Sequence, residues 1–334
     1  MSGNISYPEP DQAVPLHLNE NLFLDDEYYG ELKGVMDVEL SGYPSPTGEG
    51  LRKKLAEYYG LRASQIVIGN GSDSILDTLF KITIPTHGKM GYFTPSYEMY
   101  KFFASRNGIH SIEIPLSSDF GVPTNHDIFD DIDTLLVCSP NNPTGLCIAD
   151  DVLRRILDTD ITVIVDEAYV EYSSQDFIPL LEDYDNLILV RTFSKAWGLA
   201  GIRLGYSISS SEMALDLSDM MLPYNVNCLS LTVAEKALDM SDLKDESIRK
   251  TVEVREWFRE ELEMLDFNTI PSESNFLLCR PPSGIEPNSL FEQLLEEGFR
   301  VRIFESRRLV CYMRITIGEK KNMKTLLEVL DEVL

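Results

Sequence analysis

The stretch LILVRTFSKAWGLAGIRLGY, residues 187–206, carries the strongest structural signal in the chain. It begins with the aliphatic run LILV and continues directly into small and polar residues around Lys195. A strand that is apolar at every position is typical of a parallel sheet with both faces covered by helices. Lysine is rarely buried unless it is paired or reactive. A lysine just beyond such a strand is therefore a candidate for chemistry, with an ordinary surface lysine as the alternative.

Two earlier segments show the same pattern, an aliphatic run that leads directly into polar residues. Residues 134–138 (TLLVC) lead into SPNNPTG, and residues 162–165 (TVIV) lead into DEAY. Ligands of open α/β sheets bind beyond the carboxyl ends of the strands. We therefore expect the three polar clusters that follow these strands to converge on one crevice.

The rest of the chain predicts an α/β fold with two parts. Helical periodicity over residues 49–59, a short β-branched run at 66–68 and further helix and strand patterns up to residue 108 extend the sheet. After about residue 227 a charged helix over 243–265, a strand at 275–279, a helix at 287–297, strands near 300–304 and 311–317 and a last helix indicate a smaller α+β unit. We predict an N-terminal arm (1–30) that joins the small domain, a large domain (31–227) with a mainly parallel mixed sheet flanked by helices, and a small C-terminal α+β domain (228–334).

The charge balance excludes some partners. The 334 residues include 29 basic and 55 acidic residues, a net charge of −26. Such a field repels nucleic-acid backbones and anionic membrane surfaces, so neither is expected as a partner. An anionic ligand would need a local group of arginines.

The cysteines and histidines indicate which metal sites and which cellular compartment to expect. Five cysteines without C-x-x-C spacing predict reduced thiols in a cytoplasmic protein. Four scattered histidines, His126 among them, predict no metal site, and the acidic run at 127–133 lacks the glycine and the last glutamate of a calcium loop. No apolar run approaches the ~20 residues of a membrane span.

Asp166 is the second candidate for chemistry. It ends the run TVIVD, where a carboxylate is costly without a charged partner, although strand-end aspartates are common. A reactive lysine together with an aspartate on a pyridinium nitrogen is the signature of pyridoxal phosphate chemistry. The aspartate keeps the ring nitrogen protonated, so that the ring can accept electrons when a bond to the substrate Cα breaks.

A phosphate-binding site is predicted between a strand and a helix. The segment GNGSD at 69–73 opens a helix, whose N–H groups favour anions, and Thr192, Ser194 and Arg203 could add hydroxyls and a guanidinium. A dinucleotide fingerprint would require glycine at position 74, which is Ser74. In the PNNPTG turn, Asn142 is a candidate partner of a ring oxygen, with an ordinary rigid turn as the alternative.

These residues resemble those of the fold-type I pyridoxal phosphate-dependent aminotransferases, and within them the histidinol-phosphate aminotransferase group. The resemblance covers nearly the whole chain. The matching strings are LNEN (18–21), YPSPTGEGLR (43–52), GNGSDS (69–74), PSYEMY (95–100), PNNPTG (140–145), DEAY (166–169), TFSKAWGLAGIRLGY (192–206), PYNVN (223–227), SNF (274–276) and RITIG (314–318).

The resemblance implies a role for each matching position. Lys195 would bind the cofactor covalently and move a proton, and Asp166 would pair with the pyridine nitrogen. Asn142 and Tyr169 would hydrogen-bond the ring hydroxyl, and Tyr97 would stack on the ring. The remaining expected ligands hold the phosphate or the substrate: Ser72, Asp73, Thr192, Ser194 and Arg203 for the cofactor phosphate, Tyr43 for that of the neighbouring subunit, and Arg314, Arg302 and Asn19 for the substrate.

The resemblance also implies the reaction and the assembly. It implies a cytoplasmic homodimer with a shared active site, transferring an amino group from L-histidinol phosphate to 2-oxoglutarate in histidine biosynthesis. A threonine-phosphate decarboxylase and a general aromatic or aspartate-type aminotransferase are the alternatives. A sensor without turnover is disfavoured, because 17 residues before LNEN are too few for a helix-turn-helix.

Overall fold

The computed structural model describes residues 13–123, 129 and 131–334. Its α-helices are α1 (Asp26–Lys33), α2 (Glu49–Tyr59), α3 (Ser72–Thr83), α4 (Met99–Arg106), α5 (Asp150–Leu157), α6 (Ser211–Met220), α7 (Cys228–Leu238), α8 (Ser241–Met264), α9 (Pro287–Glu296) and α10 (Lys320–Val333).

The strands of the described residues form three sheets. They are β1 (Val14–Pro15), β2 (Ile66–Gly69), β3 (Lys89–Thr94), β4 (His110–Pro115), β5 (Thr134–Cys138), β6 (Thr162–Asp166), β7 (Leu187–Thr192), β8 (Gly205–Ile208), β9 (Asn268–Ile270), β10 (Phe276–Arg280), β11 (Phe299–Arg300), β12 (Arg302–Ile303) and β13 (Met313–Thr316).

The large sheet is mixed and mainly parallel, which confirms the predicted fold class. Its order is β2-β8-β7-β6-β5-β3-β4, and only the pairs that involve β8 are antiparallel. The three continuous aliphatic runs are β5, β6 and β7, which lie side by side at its centre. Almost every residue in them is buried, because α-helices cover both faces.

A smaller antiparallel sheet, β12-β13-β10-β9, packs with α8, α9 and α10 around a separate apolar core. Strand β1 pairs with β11, and Leu16 lies in that same core. Helix α1, which crosses the predicted limit at residue 30, instead packs on the large-sheet core through Tyr28. Residues 1–12 of the expected arm lie outside the described residues, and the domain limits stay a prediction.

Register brings the ends of the central strands together. Cys138 of β5 pairs with Asp166 of β6, which pairs with Val190 of β7, two residues before that strand ends. The loops that follow therefore start from one edge of the sheet. Across the described ranges, no helix is long and apolar enough to cross a membrane, and no group of three or more His, Cys, Asp or Glu could hold a metal ion. His126 and most of the acidic run at 127–133 lie outside these ranges.

Candidate active site

Asp166 is a buried carboxylate at the end of β6. Only 4% of the residue is exposed; its Oδ2 accepts a hydrogen bond from the Tyr100 hydroxyl at 2.7 Å, and its Oδ1 accepts one from the Ala168 N–H at 3.1 Å. Burial raises the pKa of Asp166 to about 6, and both hydrogen bonds act in the opposite direction. Nothing cationic in the described chain contributes appreciably to this pKa, so a cation beside this carboxylate would favour its ionised form.

Lys195 follows β7 and is half-buried. Its Nζ donates to the carbonyl of Leu18 at 2.8 Å and lies 5.6 Å from the centre of the Tyr169 ring. Burial, together with the positive charges of Arg314 and Arg203, lowers the pKa of Lys195 to about 8. A substantial fraction of this amine is therefore neutral near physiological pH, as a nucleophile requires.

Lys195 and Asp166 share neighbours. The charge of Asp73 raises the pKa of both groups, and Tyr169, which lies under Lys195, has its own pKa raised in part by Asp166. Tyr97 hydrogen-bonds Asp73 and packs edge-on against Tyr100 with ring centres 5.4 Å apart. Tyrosine side chains therefore border both groups: Tyr169 lies under Lys195, and Tyr100, which packs on Tyr97, bonds Asp166.

The N-terminus of α3 provides an open group of backbone donors. Gly71 precedes it at φ +82° and supplies no side-chain cap. A Cβ at Gly71 would lie 3.2 Å from the Arg203 guanidinium, and a Cβ at Gly205 would lie 2.3 Å from the Ser72 nitrogen. Only glycine permits this close approach of strand, helix and arginine. Arg203 itself is within 3.4 Å of Asp73 Oδ2.

Two hydroxyl residues of the predicted phosphate site, Thr192 and Ser194, lie where β7 ends. Thr192 Oγ1 accepts the Ser194 N–H at 3.0 Å and donates to the Leu204 carbonyl at 3.3 Å. Ser194 lines a cavity of about 410 Å³ that Glu20 and Tyr29 also border. The structure thus places Asp73 and Arg203 beside Ser72 at the start of α3, where an anion would be bound, and pairs Thr192 with Gly205, which packs against Ser72. The cavity that Ser194 borders has none of these residues in its lining.

Arg314 and Arg302 are cross-strand neighbours in the small sheet, with Cα atoms in register. Arg314 is 7% exposed; it donates to Asn142 Oδ1 at 2.5 Å and to the His17 carbonyl at 2.6 Å, while its buried Nε has no hydrogen-bond partner within the described chain. Arg302 is half exposed and lies 3.6 Å from Glu98. This is the local positive charge that an anionic substrate requires.

Two asparagines bind protein groups in this structure. Asn19 is buried at φ +56°, donates to the Tyr169 hydroxyl at 3.0 Å and accepts from the Thr316 hydroxyl at 3.0 Å. Asn142 accepts from Arg314, as described above. Asn19 therefore orients Tyr169, and Asn142 connects the PNNPTG turn to the small sheet.

Within this chain, Tyr43 lies apart from the other predicted site residues. Its side chain is 86% exposed and packs on Tyr224 with ring centres 4.9 Å apart. The expected partner of Tyr43 is in a second subunit, so its role stays a prediction.

Two residues of the site escape sequence reasoning. Tyr100 lies in the string PSYEMY without a predicted role, although its position three residues after the expected ring-stacking residue Tyr97 is an available signal. His17 precedes LNEN, and burial with the charges of Arg300, Arg314 and Arg302 lowers its pKa to about 4. Nothing in the sequence indicates that its neighbours are arginines.

The chain matches a known protein family over most of its length. Residues 16–330 match the family model described as aminotransferase class I and II. A histidinol-phosphate aminotransferase of Pyrococcus furiosus is 38% identical over 93% of this chain and 88% of its own.

Two solved structures share the fold. The crystal structure of the histidinol-phosphate aminotransferase from Clostridium acetobutylicum superposes with a TM-score of 0.88 at 25% identity, covering 96% of this chain and 98% of that one. The enzyme of the same name from Sinorhizobium meliloti, solved in complex with pyridoxal 5′-phosphate, has a TM-score of 0.85 at 21% identity, covering 96% and 92%.

Proposed function

The chain belongs to the class I and II aminotransferase family, and on that basis we propose that it transfers the amino group of L-histidinol phosphate to 2-oxoglutarate. The cofactor of the family is pyridoxal 5′-phosphate. The observation that carries the proposal is the combination of a neutralisable amine, Lys195, with a buried carboxylate, Asp166, at or just beyond the ends of neighbouring strands, together with the charge of Arg314 acting on that amine.

The described residues fit this cofactor. The start of α3, without a side-chain cap and next to Arg203, suits a phosphate group, and the Asp166 carboxylate lacks, among the described residues, the cationic partner that a protonated ring nitrogen would provide. Asn142, Tyr169 and Tyr97 would complete the contacts with the ring. When bound, pyridoxal phosphate supplies an electron-accepting ring that stabilises negative charge at the substrate carbon bearing the amino group.

Lys195 is the residue that handles protons. Its Nζ, with a pKa of about 8, can be neutral or charged near physiological pH, so it can accept a proton at one stage and return it at another. The positive charges of Arg314 and Arg203 favour the neutral form. The Leu18 carbonyl, 2.8 Å away, holds the amine in place.

The arginine pair would select anionic substrates. Arg314 offers a buried guanidinium whose Nε has no partner in the described chain, and Arg302 adds a second charge from the neighbouring strand. A guanidinium fork suits either a carboxylate or a phosphate, so one site could accept both substrates of the reaction in turn. Asn19 would contribute by fixing Tyr169.

We further propose that the enzyme is a cytoplasmic homodimer in which Tyr43 reaches the cofactor phosphate of the partner subunit. Large apolar side chains are exposed around Tyr43 and the start of the PYNVN segment: Leu40 72%, Tyr43 86%, Leu222 77% and Tyr224 44%. Tyr43 and Tyr224 are in contact, and an exposed apolar patch of this kind is typical of an interface. All five cysteines are free, as reduced cytoplasmic thiols would be.

A direct assay tests the reaction. Purified protein with pyridoxal phosphate, L-histidinol phosphate and 2-oxoglutarate should form glutamate without releasing carbon dioxide. Threonine phosphate should release no carbon dioxide, and phenylalanine or aspartate should replace histidinol phosphate poorly. Carbon dioxide from threonine phosphate, or faster transfer from an ordinary amino acid, would assign the chain to another activity of the family.

A further inference from the structure

Tyr100 is a buried tyrosine that touches the central carboxylate of the site. It lies in the first turn of α4, its exposure is 0%, and its hydroxyl is 2.7 Å from Asp166 Oδ2. Edge-on contacts hold its ring between Tyr97 and Tyr92, at centre distances of 5.4 and 6.3 Å. The packed aromatic rings thus hold the Tyr100 hydroxyl against Asp166.

The surroundings of Asp166 otherwise oppose its ionisation. Burial is the largest effect, and the negative charges of Asp73 on α3 and of the adjacent Glu167 add to it. Cys138 on β5 and Tyr169 after β6 are the other titratable groups that interact with it. Against these stand two donors, the Tyr100 hydroxyl and the Ala168 N–H. The Tyr100 hydroxyl stays protonated at neutral pH because burial and Asp166 raise its pKa, so it remains a donor.

We propose that Tyr100 is a positioning residue whose hydroxyl keeps the Asp166 carboxylate ionised and fixed in orientation, ready to pair with a protonated ring nitrogen. The proposal rests on the proposed function in that it takes the pyridoxal ring to be what Asp166 serves. Its alternative is a purely structural role in which Tyr100 only fills the core. A hydrogen bond that favours the ionised form of a carboxylate by about tenfold lowers its pKa by about one unit, so loss of this bond shifts a pH profile that a core-filling role would leave unchanged.

The test measures binding of pyridoxamine 5′-phosphate, which has the ring and the phosphate but no aldehyde, so that covalent attachment to Lys195 does not contribute. Its Kd is measured by fluorescence titration between pH 5 and 8.5 for the wild type and for Tyr100→Phe. Tyr92→Phe is the matched control: Tyr92 is 4% exposed in the same core, and its hydroxyl bonds Glu113 at 3.2 Å instead of a site residue.

The predicted result follows from the sign of the pKa change. Removal of the donor raises the pKa of Asp166 above its value of about 6. As the pH falls, Asp166 of the variant therefore becomes protonated at a higher pH than Asp166 of the wild type. We expect the pH at which affinity declines to rise by about one unit in Tyr100→Phe, with a Kd about threefold weaker near pH 6.5 and nearly tenfold weaker at pH 5. Tyr92→Phe should retain the wild-type profile. A Tyr100→Phe profile that overlays the wild type would overturn the proposal.

A double variant separates positioning from packing. In an Asp166→Asn background Tyr100→Phe should change the Kd by less than about twofold, because the group through which it acts is gone. An equal loss in both backgrounds would make Tyr100 a packing residue and refute the proposal.

If Tyr100→Phe does not fold, 3-fluorotyrosine at position 100 replaces it. This analogue keeps the ring and makes the hydroxyl a stronger donor, so the pH profile should shift downward, and no shift would contradict the proposal. Failure of the proposed function would be seen in a different assay. If the protein binds the cofactor but forms no glutamate from histidinol phosphate, the titration and the role that it assigns to Tyr100 are unaffected.

Discussion

Among single residues, Arg314 should govern affinity for anionic substrates. Arg314→Ala removes a buried guanidinium from the site, and we expect KM for histidinol phosphate and for 2-oxoglutarate to rise by about 10- to 100-fold. The Kd of pyridoxal phosphate should change much less. Arg302→Ala, at a half-exposed neighbour, is the comparison and should have a smaller effect. An unchanged KM in Arg314→Ala would remove this residue from the substrate site.

The reactivity of Lys195 should depend on pH with a midpoint near 8. Below that pH the amine is mostly protonated and unreactive, and above it the neutral nucleophile predominates, because burial and nearby arginines lower its pKa from 10.5 to about 8. Stopped-flow absorbance of cofactor-free protein mixed with pyridoxal phosphate should show a rate that rises through this midpoint. A rate that continues to rise toward pH 10.5 would show an unperturbed lysine.

The positions of such residues could be predicted from the sequence where a strand ends in a charged group. Asp166 ends the buried strand β6 and Lys195 follows the buried strand β7, as the aliphatic runs indicate, while their chemical roles stay a prediction. Tyr100 could not be found in this way, because its role depends on how α4 packs against β6. The arginines around His17 come from separate strands, and no spacing along the chain indicates that they meet.

At the scale of elements, the continuous aliphatic runs that form β5, β6 and β7 could be predicted because they are apolar throughout. Several elements with mixed patterns were not predicted: helices α1, α5, α6 and α7 and strands β4, β8 and β9. The segment TPSYEMYKFFASRNG predicts a helix that closes at Asn107-Gly108, but α4 begins only at Met99. Pro95 accounts for Thr94, since proline disfavours the helical conformation in the residue before it. The observed helix α2, by contrast, has the predicted bounds and ends at Gly60 in a left-handed conformation.

A buried ion pair connects β7 to the residue that follows β6, directly beside Asp166. Arg191 Nε and Glu167 Oε2 are 2.7 Å apart, at 5% and 0% side-chain exposure, and Arg191 also faces the buried Glu171. Arg191→Met should lower the free energy of unfolding by about 3–5 kcal/mol, because buried carboxylates lose their cation.

Urea denaturation of the cofactor-free protein measures this cost. The exposed pair of Arg249 and Glu246 is the control, and Arg249→Met should change the unfolding midpoint little. Equal midpoints for Arg191→Met and the wild type would show that this pair does not stabilise the junction of the two strands.

At the scale of the whole molecule, the sequence predicted two units of different texture, and the two sheets with separate cores agree with that expectation. The exact domain limits stay a prediction; Leu16 near the N-terminus packs with the C-terminal core, whereas α1 packs on the large sheet. The role of Tyr43 depends on a second chain and cannot be derived from one. The charge of −26 makes the arginine site a local exception to the field of the molecule.

The exposed apolar surface around Tyr43 should hold the proposed dimer together. Leu222→Glu places a charge on a side chain that is 77% exposed in the single chain, and burying that charge at an interface is costly. Sedimentation should show a shift from dimer toward monomer, together with weaker binding of pyridoxal phosphate. Met264→Glu, at a side chain 70% exposed at the end of α8, is the control and should stay dimeric. A Leu222→Glu protein that sediments as the wild type would place the interface elsewhere.

The decisive measurement concerns the attachment of the cofactor to one amine. The protein is incubated with pyridoxal phosphate, reduced with borohydride, digested and mapped by mass spectrometry, in parallel with Lys195→Ala. We expect the reduced cofactor on Lys195, no stoichiometric label in Lys195→Ala, and loss of amino transfer by at least about 100-fold in that folded variant. Label on another lysine, or amino transfer that survives in Lys195→Ala, would show that Lys195 is not the reactive amine.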